Sequence, residues 1–337
     1  MIVVTGGAGF IGSALVWGLN QRGRSDVLVV DDVDHEEKEH NLAELEYEEL
    51  VGIKEFRAKL LAGDYPVKPA DAGHGAGDSG VEAVLHMGAC SATTETDWDY
   101  LEDNNVEYSK DIIRWCFDGD VRCVYASSAA TYGDGAEGYS DDPELFDALK
   151  PLNLYGKSKL LVDIWARDGK YFEGGIAGVR YFNVFGPNEW HKEGMRSVIA
   201  KKFEQIKADG FIELFASNDP EYKDGEQKRD FVYIKDVVDA TLWLMENKET
   251  AGVFNVGAGA ARTWNAVANA MFSAMGKKPD IRYIELPDQL KNQYQNFTQA
   301  DITKLREAGY QRAFTSLEDA AVDYITNYLT PHLHLTT

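Results

Sequence analysis

Short apolar runs recur from the start of the chain to about residue 256, and segments with helical spacing separate the early runs. The runs cover residues 2–4, 27–30, 83–85, 122–125, 176–180 and 253–256. Alternation of buried strands with helices is typical of a parallel sheet that carries helices on both faces. The pattern therefore predicts an α/β fold with a doubly wound parallel sheet.

The remaining pattern predicts helices, a loop and a second lobe. Helical spacing predicts a helix that begins near residue 10 and helices over about residues 155–165, 197–209 and 317–329. Five glycines and two prolines without periodicity predict a surface loop over residues 62–80. The pattern becomes irregular after residue 183, as expected where a lobe for substrate is built. We assign residues 1–182 and 236–262 to a main dinucleotide-binding domain, and residues 183–235 and 263–337 to a smaller, mostly C-terminal α/β substrate lobe.

A glycine-rich turn follows the first apolar run. Its glycines are three residues apart, at Gly6, Gly9 and Gly12. Such glycines let the backbone turn tightly and approach a pyrophosphate, whose charge is attracted by the free N–H groups of the following helix. The second run ends in Asp31 and Asp32, where a carboxylate can accept a hydrogen bond from a ribose hydroxyl. The sequence therefore predicts a Rossmann-type site for a dinucleotide.

Composition and charge exclude several kinds of partner. The 56 acidic residues outnumber the 34 basic ones, and the formal net charge of -22 argues against a nucleic-acid or anionic-membrane partner. Cys90, Cys116 and Cys123 lack the spacing of a metal site and are interpreted as free thiols, so no metal is expected. No apolar stretch approaches the roughly 18 residues of a membrane span, and the N-terminus lacks a signal-peptide pattern. These features predict a cytoplasmic protein.

Tyr155 and Lys159 are four residues apart in a predicted helix, so both side chains should lie on one face. A nearby ammonium lowers the pKa of a phenol, which would make Tyr155 a proton acceptor, and Lys159 could also reach a cofactor ribose. Ser128 lies in a small polar run after the fourth apolar run and could bond to a reacting alcohol. The alternatives are a solvated helix face for the pair and simple capping of the next turn for Ser128.

In this order, the glycine turn, the run containing Ser128 and the Tyr155/Lys159 pair resemble the extended short-chain dehydrogenase/reductase superfamily. Further segments resemble the ADP-L-glycero-D-manno-heptose 6-epimerase family; they cover residues 86–91, 103–105, 151–156, 180–187, 228–233 and 294–301. The similarity extends to about residue 328, with the glycine-rich loop as its main interruption. It implies inversion at C6 of ADP-D-glycero-D-manno-heptose, a precursor of lipopolysaccharide core heptose, by transient oxidation and re-reduction with one nicotinamide cofactor retained in each subunit. It also implies a homo-oligomer.

The resemblance also assigns roles to individual residues. Tyr155 and Lys192 become two acid/base groups on opposite sides of the sugar carbon. Substrate contacts fall to Ser128, Asn183, Gly194, Lys201, Phe215, Ser217, Arg229 and Tyr294, with Arg229 suited to the diphosphate. Cofactor contacts fall to Gly6, Gly9, Phe10, Ile11, Gly12, Asp31, Asp32, Lys38, Lys54, Met87, Gly88, Ala89, Cys90, Ser91, Asn104, Lys159 and Val184. The alternatives are an exposed loop lysine for Lys192 and an ion pair with Asp230 or another acidic residue for Arg229.

Some positions depart from the family pattern. Asp32 replaces a neutral amide, and a second carboxylate there should repel a 2′-phosphate. Lys38 and Lys54 retain the positive charge of the family, so we expect NADP, with NAD as the alternative. The pair Glu193-Gly194 replaces glycine-serine and Lys201 replaces histidine, which leaves the substrate contacts there open.

Two other functions remain as alternatives. One is a UDP-hexose 4-epimerase or another nucleotide-sugar oxidoreductase, although a 4-epimerase gives Lys192 no role. A 4,6-dehydratase would need an Asp-Glu pair after the run of Ser128, where the chain has Tyr132 and Gly133. The other is a catalytically silent regulator that binds the dinucleotide, although such proteins tend to lose the tyrosine and lysine. Turnover of a nucleotide sugar separates these alternatives.

Overall fold

The computed structural model describes residues 1–68, 80–288 and 294–336. Within them the strands are β1 (Ile2–Thr5), β2 (Val27–Val30), β3 (Glu49–Val51), β4 (Ala83–His86), β5 (Arg122–Ser128), β6 (Ile176–Tyr181), β7 (Asn183–Phe185), β8 (Ile212–Phe215), β9 (Lys228–Tyr233), β10 (Gly252–Val256), β11 (Ala261–Thr263) and β12 (Ile281–Ile284). Seven of them form one sheet in the order β10-β6-β5-β4-β1-β2-β3. Every neighbouring pair in this sheet is parallel.

The helices are α1 (Phe10–Asn20), α2 (Glu36–Leu42), α3 (Ile53–Ala62), α4 (Trp98–Leu101), α5 (Tyr108–Asp118), α6 (Leu154–Asp168), α7 (Val198–Asp209), α8 (Ile234–Glu246), α9 (Trp264–Ala274), α10 (Thr303–Glu307) and α11 (Leu317–Tyr324). Residues Glu102–Glu107 form a π-helical stretch that joins α4 to α5, and Ile325–Leu329 continue α11 in the same way. Ser197 caps α7 by accepting a hydrogen bond from the Ala200 amide. The helices predicted near residue 10 and over 155–165, 197–209 and 317–329 are confirmed.

Strand residues alternate between two hydrophobic cores, one on each face of the sheet. Ile2 and Val4 of β1 pack in the core that contains α1 and α8. Val3 packs in the opposite core with residues of α3 and α5. Since successive side chains of a strand point to opposite faces, a run that is apolar at every position must be covered on both sides. The predicted doubly wound Rossmann-type sheet is therefore confirmed.

Two small sheets lie mostly in the part of the chain that was assigned to the substrate lobe, and β11 crosses the boundary assigned at residue 262. One has the order β11-β9-β7, and the other pairs β12 with β8 in parallel. The buried carboxylate of Asp230 on β9 accepts hydrogen bonds from the amides of Ala258, at 2.6 Å, and Ala300, at 2.9 Å. These bonds fix the turn after β10 against β9, so the main sheet and the small sheet are joined.

The predicted loop over residues 62–80 begins where α3 ends. Gly63 has a φ of +77° and provides the left-handed cap of α3. Val67 then forms an isolated parallel bridge with Val81. Residues 69–79 of this loop lie outside the described residues.

Candidate functional site

The glycine turn has the geometry that brings backbone close to a ligand. Gly6 has a φ of +64°, and its amide donates to the carbonyl oxygen of Val30 at 2.8 Å. A Cβ on Gly12 would lie 2.0 Å from the carbonyl oxygen of Gly6, so a side chain there would push α1 away from the turn. Gly9 precedes α1, whose first turn has no side-chain cap and no acidic residue. The N–H groups at this helix end therefore remain available to an anion.

This helix end opens into a cavity of about 790 Å³, which we call the large cavity. Its lining includes every predicted cofactor residue except Lys159 and Val184: Gly6, Gly9, Phe10, Ile11, Gly12, Asp31, Asp32, Lys38, Lys54, Met87, Gly88, Ala89, Cys90, Ser91 and Asn104. Most of these residues follow β1, β2 and β4. Ligands of open α/β sheets bind at the carboxyl ends of the strands, and the large cavity occupies that position. Its uncapped helix and close glycine turn fit a dinucleotide.

The acidic end of the large cavity is well ordered by hydrogen bonds. Asp31 is buried, and its carboxylate accepts from the Ala8 amide at 3.0 Å and from Lys38 Nζ at 3.2 Å. Burial raises the pKa of Asp31, while the charge of Lys38 opposes that rise. Asp32 is exposed and accepts from the amide of Ile53, the first residue of α3, at 3.1 Å. The Asp32 carboxylate therefore lies at a positive helix end.

Asn105 holds the loop after β4 in place. Its Oδ1 accepts from the Cys90 amide at 2.8 Å, and its Nδ2 donates to the Cys90 carbonyl oxygen at 3.0 Å. Nδ2 also lies 3.1 Å from Ser158 Oγ on α6. Asn105 thus fixes the cavity wall to the helix that carries Tyr155. Its neighbour Asn104 was predicted from the sequence, but Asn105 was not, because its full burial is visible only in three dimensions.

A second cavity of about 360 Å³, the small cavity, adjoins the large one and shares part of its wall. The predicted residues that line the small cavity but not the large one are Ser128, Tyr155, Lys159, Asn183 and Val184, and Lys192 lines both. Ser128 Oγ accepts from the Ala130 amide at 3.1 Å, as the capping alternative predicts, and Ser128 and Tyr155 line the same cavity. The three side chains from β5 and α6 are therefore brought together.

The structure corrects one expectation about this cluster. Burial raises the pKa of Tyr155, and the opposing contribution comes from the Ser128 hydroxyl. Lys159 instead donates to the carbonyl oxygen of Ala126 at 2.8 Å, and burial lowers its own pKa to about 8. The predicted lowering of the Tyr155 pKa by Lys159 is therefore wrong for this state. Two donor positions of the Lys159 ammonium remain for another partner.

Asp163 is a member of the cluster that the sequence analysis missed. It lies four residues after Lys159 and eight after Tyr155, on the same face of α6. It forms an ion pair with Arg180 at 2.9 Å, and both side chains are fully buried. It also accepts hydrogen bonds from the hydroxyls of Tyr125, at 2.9 Å, and Ser127, at 2.8 Å. Asp163 thus anchors α6 to β5 and β6, which sets the position of the helix face that carries Tyr155 and Lys159.

Lys192 lines both cavities and is not an exposed loop lysine. It lies in a short helical turn, Trp190–Met195, and its Nζ is 5.1 Å from the centre of the Phe10 ring. Burial lowers the pKa of Lys192, and the nearby carboxylate of Glu189 opposes this. Glu189 is itself held by the hydroxyls of Ser197, at 2.6 Å, and Tyr324, at 2.9 Å. The lysine that was assigned as the second acid/base group therefore has a fixed, partly desolvated position.

Arg229 is buried and has no ion pair among the residues that the structure describes. Its guanidinium carbon lies 5.3 Å from the centre of the Tyr294 ring and 5.8 Å from the Trp264 ring, and Trp264 lines the small cavity. Asp230 is occupied by backbone amides, so the alternative of an Arg229–Asp230 ion pair is wrong. Burial lowers the pKa of Arg229. A buried arginine without a carboxylate is suited to an anionic ligand.

The whole-chain comparisons agree with this geometry. The sequence model of the NAD dependent epimerase/dehydratase family matches residues 2–257. The chain belongs to this family. Its cofactor is therefore a nicotinamide dinucleotide, as the glycine turn and the Asp31 carboxylate predict.

Several relatives within this epimerase/dehydratase family are similar over nearly their full length. An ADP-L-glycero-D-manno-heptose-6-epimerase of Nitratidesulfovibrio vulgaris (strain Hildenborough) is 49% identical over 337 residues, which cover 99% of this chain and 100% of the relative. One of Fusobacterium nucleatum is 43% identical and covers 98% of each chain. The crystal structure of the Helicobacter pylori ADP-L-glycero-D-manno-heptose-6-epimerase matches with a TM-score of 0.78 at 26% identity, covering 97% of this chain and 95% of that one. The resemblance inferred from the motifs is confirmed.

The remaining predicted substrate residues of this family member do not line either cavity. Phe215 contacts Tyr294 edge to face, with ring centres 6.3 Å apart. Ser217 shapes its own loop by donating to the Asp219 carbonyl oxygen at 2.8 Å. Gly194 and Lys201 are exposed, and Lys201 Nζ donates to the Gly194 carbonyl oxygen at 3.1 Å. Their contacts with substrate stay predictions.

Among the described residues, no helix of this epimerase-family chain is long and apolar enough to cross a membrane.

Proposed function

We propose that the chain inverts C6 of ADP-D-glycero-D-manno-heptose to give the L-glycero epimer. The observation that carries the proposal is that Tyr155 and Lys192 both line the small cavity, directly beside the large cavity. The two residues come from separate elements of the fold. A mechanism that must act on both faces of one carbon needs two such groups, whereas a single-base epimerase does not use the lysine. The names of the relatives support the same substrate.

A nicotinamide held in the large cavity would supply hydride chemistry at C6 of the sugar, taking a hydride from one face and returning it to the other, so the reaction would have no net redox change. As the C6–H bond breaks, one of Tyr155 and Lys192 takes the proton of the C6 hydroxyl, which leaves a ketone. The ketone then rotates in the cavity and presents its other face. The other group donates a proton to the oxygen as the new C6–H bond forms. Ser128 bonds to this oxygen, and the free donor positions of Lys159 hold the nicotinamide ribose.

Conversion of the nucleotide sugar without added cofactor tests this function. The purified protein is incubated with ADP-D-glycero-D-manno-heptose, and the two C6 epimers are separated and quantified. We expect the L-glycero epimer to form, because the cofactor stays in the large cavity through turnover. Absence of conversion after addition of NADP and NAD, together with interconversion of UDP-glucose and UDP-galactose, would assign the chain to the UDP-hexose 4-epimerases.

We assign the substrate diphosphate to Arg229. Replacing Arg229 with Gln should raise KM about 10- to 100-fold, since a charge-assisted hydrogen bond to a buried charge is worth about 1.5–3 kcal/mol. The matched control is Arg262→Gln on β11, where Arg262 is the cross-strand neighbour of Arg229 and is already paired with Glu318. Equal KM values for the two variants would contradict the assignment.

We also propose NADP as the cofactor. Lys38 and Lys54 line the cavity beside Asp32. The amide of Ile53 and the positive end of α3 reduce the repulsion that the Asp32 carboxylate exerts on a 2′-phosphate.

Replacing Asp32 with Asn should therefore tighten the binding of NADP about fivefold, by removing roughly 1 kcal/mol of repulsion, and leave that of NAD nearly unchanged. Lys54→Gln should weaken the binding of NADP and leave the binding of NAD nearly unchanged. The measurement is a titration of nucleotide-free protein with each dinucleotide. A wild-type protein that binds NAD more tightly than NADP would show that the cofactor is NAD.

A further inference from the structure

A cluster of histidines surrounds one glutamate of α2, outside the two cavities. His40 lies one turn after Glu37 on α2, and its Nδ1 is 3.6 Å from Glu37 Oε2. His334, from a distant part of the chain, places Nε2 3.4 Å from the same oxygen. The three ligand atoms all lie within 4.8 Å of one another. The cluster consists of histidine and glutamate, so the cysteine spacing could not reveal it.

Asn41 fixes which nitrogen of His334 carries the hydrogen. The Nδ2 group of Asn41 lies 3.0 Å from the Ala8 carbonyl oxygen and 3.2 Å from the Asn188 carbonyl oxygen. Both are acceptors only, so this atom must be the donating nitrogen, and Oδ1 must accept. Oδ1 lies 2.9 Å from His334 Nδ1, which therefore carries the hydrogen. In the neutral imidazole, the lone pair of Nε2 then faces Glu37.

Two acceptors thus face each other without a hydrogen between them. The Oε2 atom of Glu37 is buried and has no hydrogen-bond partner among the described residues. An unpaired buried carboxylate oxygen is costly, and a second lone pair at 3.4 Å increases the cost. A cation between the two atoms removes both penalties.

The two ligand separations that involve Glu37 Oε2 fit a tetrahedral metal ion. Nitrogen and oxygen ligands at about 2.0–2.1 Å from a tetrahedral ion lie about 3.3 Å from each other. The 3.4 Å and 3.6 Å separations around Glu37 Oε2 are close to this value. The bond from His334 to Asn41 is the kind of outer contact that orients a metal-binding histidine. We propose that Glu37, His40 and His334 bind a divalent transition metal of the Zn²⁺ class, with water or His332 at the fourth position.

Such an ion would join the segment of residues 331–336 to α2. This segment already contacts the main domain, since the Leu335 amide donates to Asn188 Oδ1 at 2.9 Å and Leu335 is buried. Helix α2 also carries Lys38, which bonds to Asp31 in the large cavity. The metal therefore stabilises the edge of the large cavity, without contacting the cofactor or the substrate.

The full chain is treated with a chelator, desalted and titrated with ZnCl₂ by calorimetry, and the metal retained after a second desalting is measured by elemental analysis. We expect one Zn²⁺ per chain. His334→Ala and Glu37→Gln should each weaken binding more than about 100-fold, since even outer contacts contribute 10- to 100-fold. The matched control is His35→Asn, which removes a histidine of the same helix end but keeps a side chain able to cap α2. Zinc should raise Tm for wild type and the control only.

Retention of zinc by both ligand variants would show adventitious binding to other histidines and would overturn the proposal. The proposal would also be overturned if wild type retains no zinc. In that case, an imidazolium signal of His334 in the NMR spectrum at neutral pH would show that a proton lies between His334 Nε2 and Glu37 Oε2. The visible absorption spectrum of the Co²⁺-loaded chain provides a second readout. Strong absorption would indicate the proposed four-coordinate site, and weak absorption would indicate six-coordinate Co²⁺ and contradict it.

Discussion

Replacing Tyr155 with Phe will slow C6 inversion by about 10²- to 10⁴-fold, the usual contribution of one general acid or base. The change removes a single hydroxyl and leaves the ring in the small cavity, so cofactor binding should not change. Replacing Lys192 with Met, which keeps the length of the side chain, should produce a loss of the same order. Because the two groups act in one reaction, the double variant should be little worse than either single variant.

Rates of epimer formation under saturating substrate measure these effects. The control is Tyr283→Phe, because Tyr283 on β12 is 43% exposed and lines neither cavity. A Lys192→Met variant with wild-type inversion would reject the two-group mechanism and favour an epimerase with one base. A Tyr155→Phe variant whose inversion rate lies within about threefold of wild type would show that the tyrosine takes no part in the chemistry.

Replacing Asp163 with Asn will lower the free energy of unfolding by about 3–5 kcal/mol, since it leaves the fully buried Arg180 without its counter-charge. The amide is nearly the same size, so no cavity is formed. Its NH₂ group would face the Arg180 guanidinium or the hydroxyls of Tyr125 and Ser127, which already donate to this site. At least one of these groups would lose its acceptor.

Urea denaturation of the nucleotide-free protein measures this change, because bound cofactor would add its own stabilisation. The control is Asp147→Asn, the same substitution in a carboxylate that pairs with Arg167 at 2.8 Å but is 67% exposed. Exposed pairs contribute at most about 1 kcal/mol. Equal losses for the two variants would mean that burial of the Asp163–Arg180 pair has no special effect.

The central sheet was predictable because its inner strands are buried on both faces and therefore read as unbroken apolar runs. The edge strand β3 was missed, since Glu49 and Leu50 are exposed and only Val51 is buried. The small sheets were missed for a related reason. Their strands are short, and their pairing is set by contacts with distant parts of the chain, such as the bond from Asp230 to the Ala300 amide.

The candidate site was predictable where its chemistry depends on local spacing, as in the glycine turn and the Tyr155/Lys159 pair. It was not predictable where a role depends on a partner far along the chain. Asp163 looks like one more solvated acid of a helix until Arg180 of β6 is seen beside it. Likewise, only the folded chain shows that Arg229 is isolated from every described carboxylate. In the sequence, its neighbour Asp230 suggests an ion pair.

The two cavities share a wall that is formed in part by Phe10, Met87 and Lys192. A dinucleotide in the large cavity and a sugar in the small cavity would lie side by side, and we expect the bound sugar to slow release of the dinucleotide. The residence time of the cofactor should therefore lengthen as substrate concentration rises, so that each chain performs many turnovers with one dinucleotide molecule.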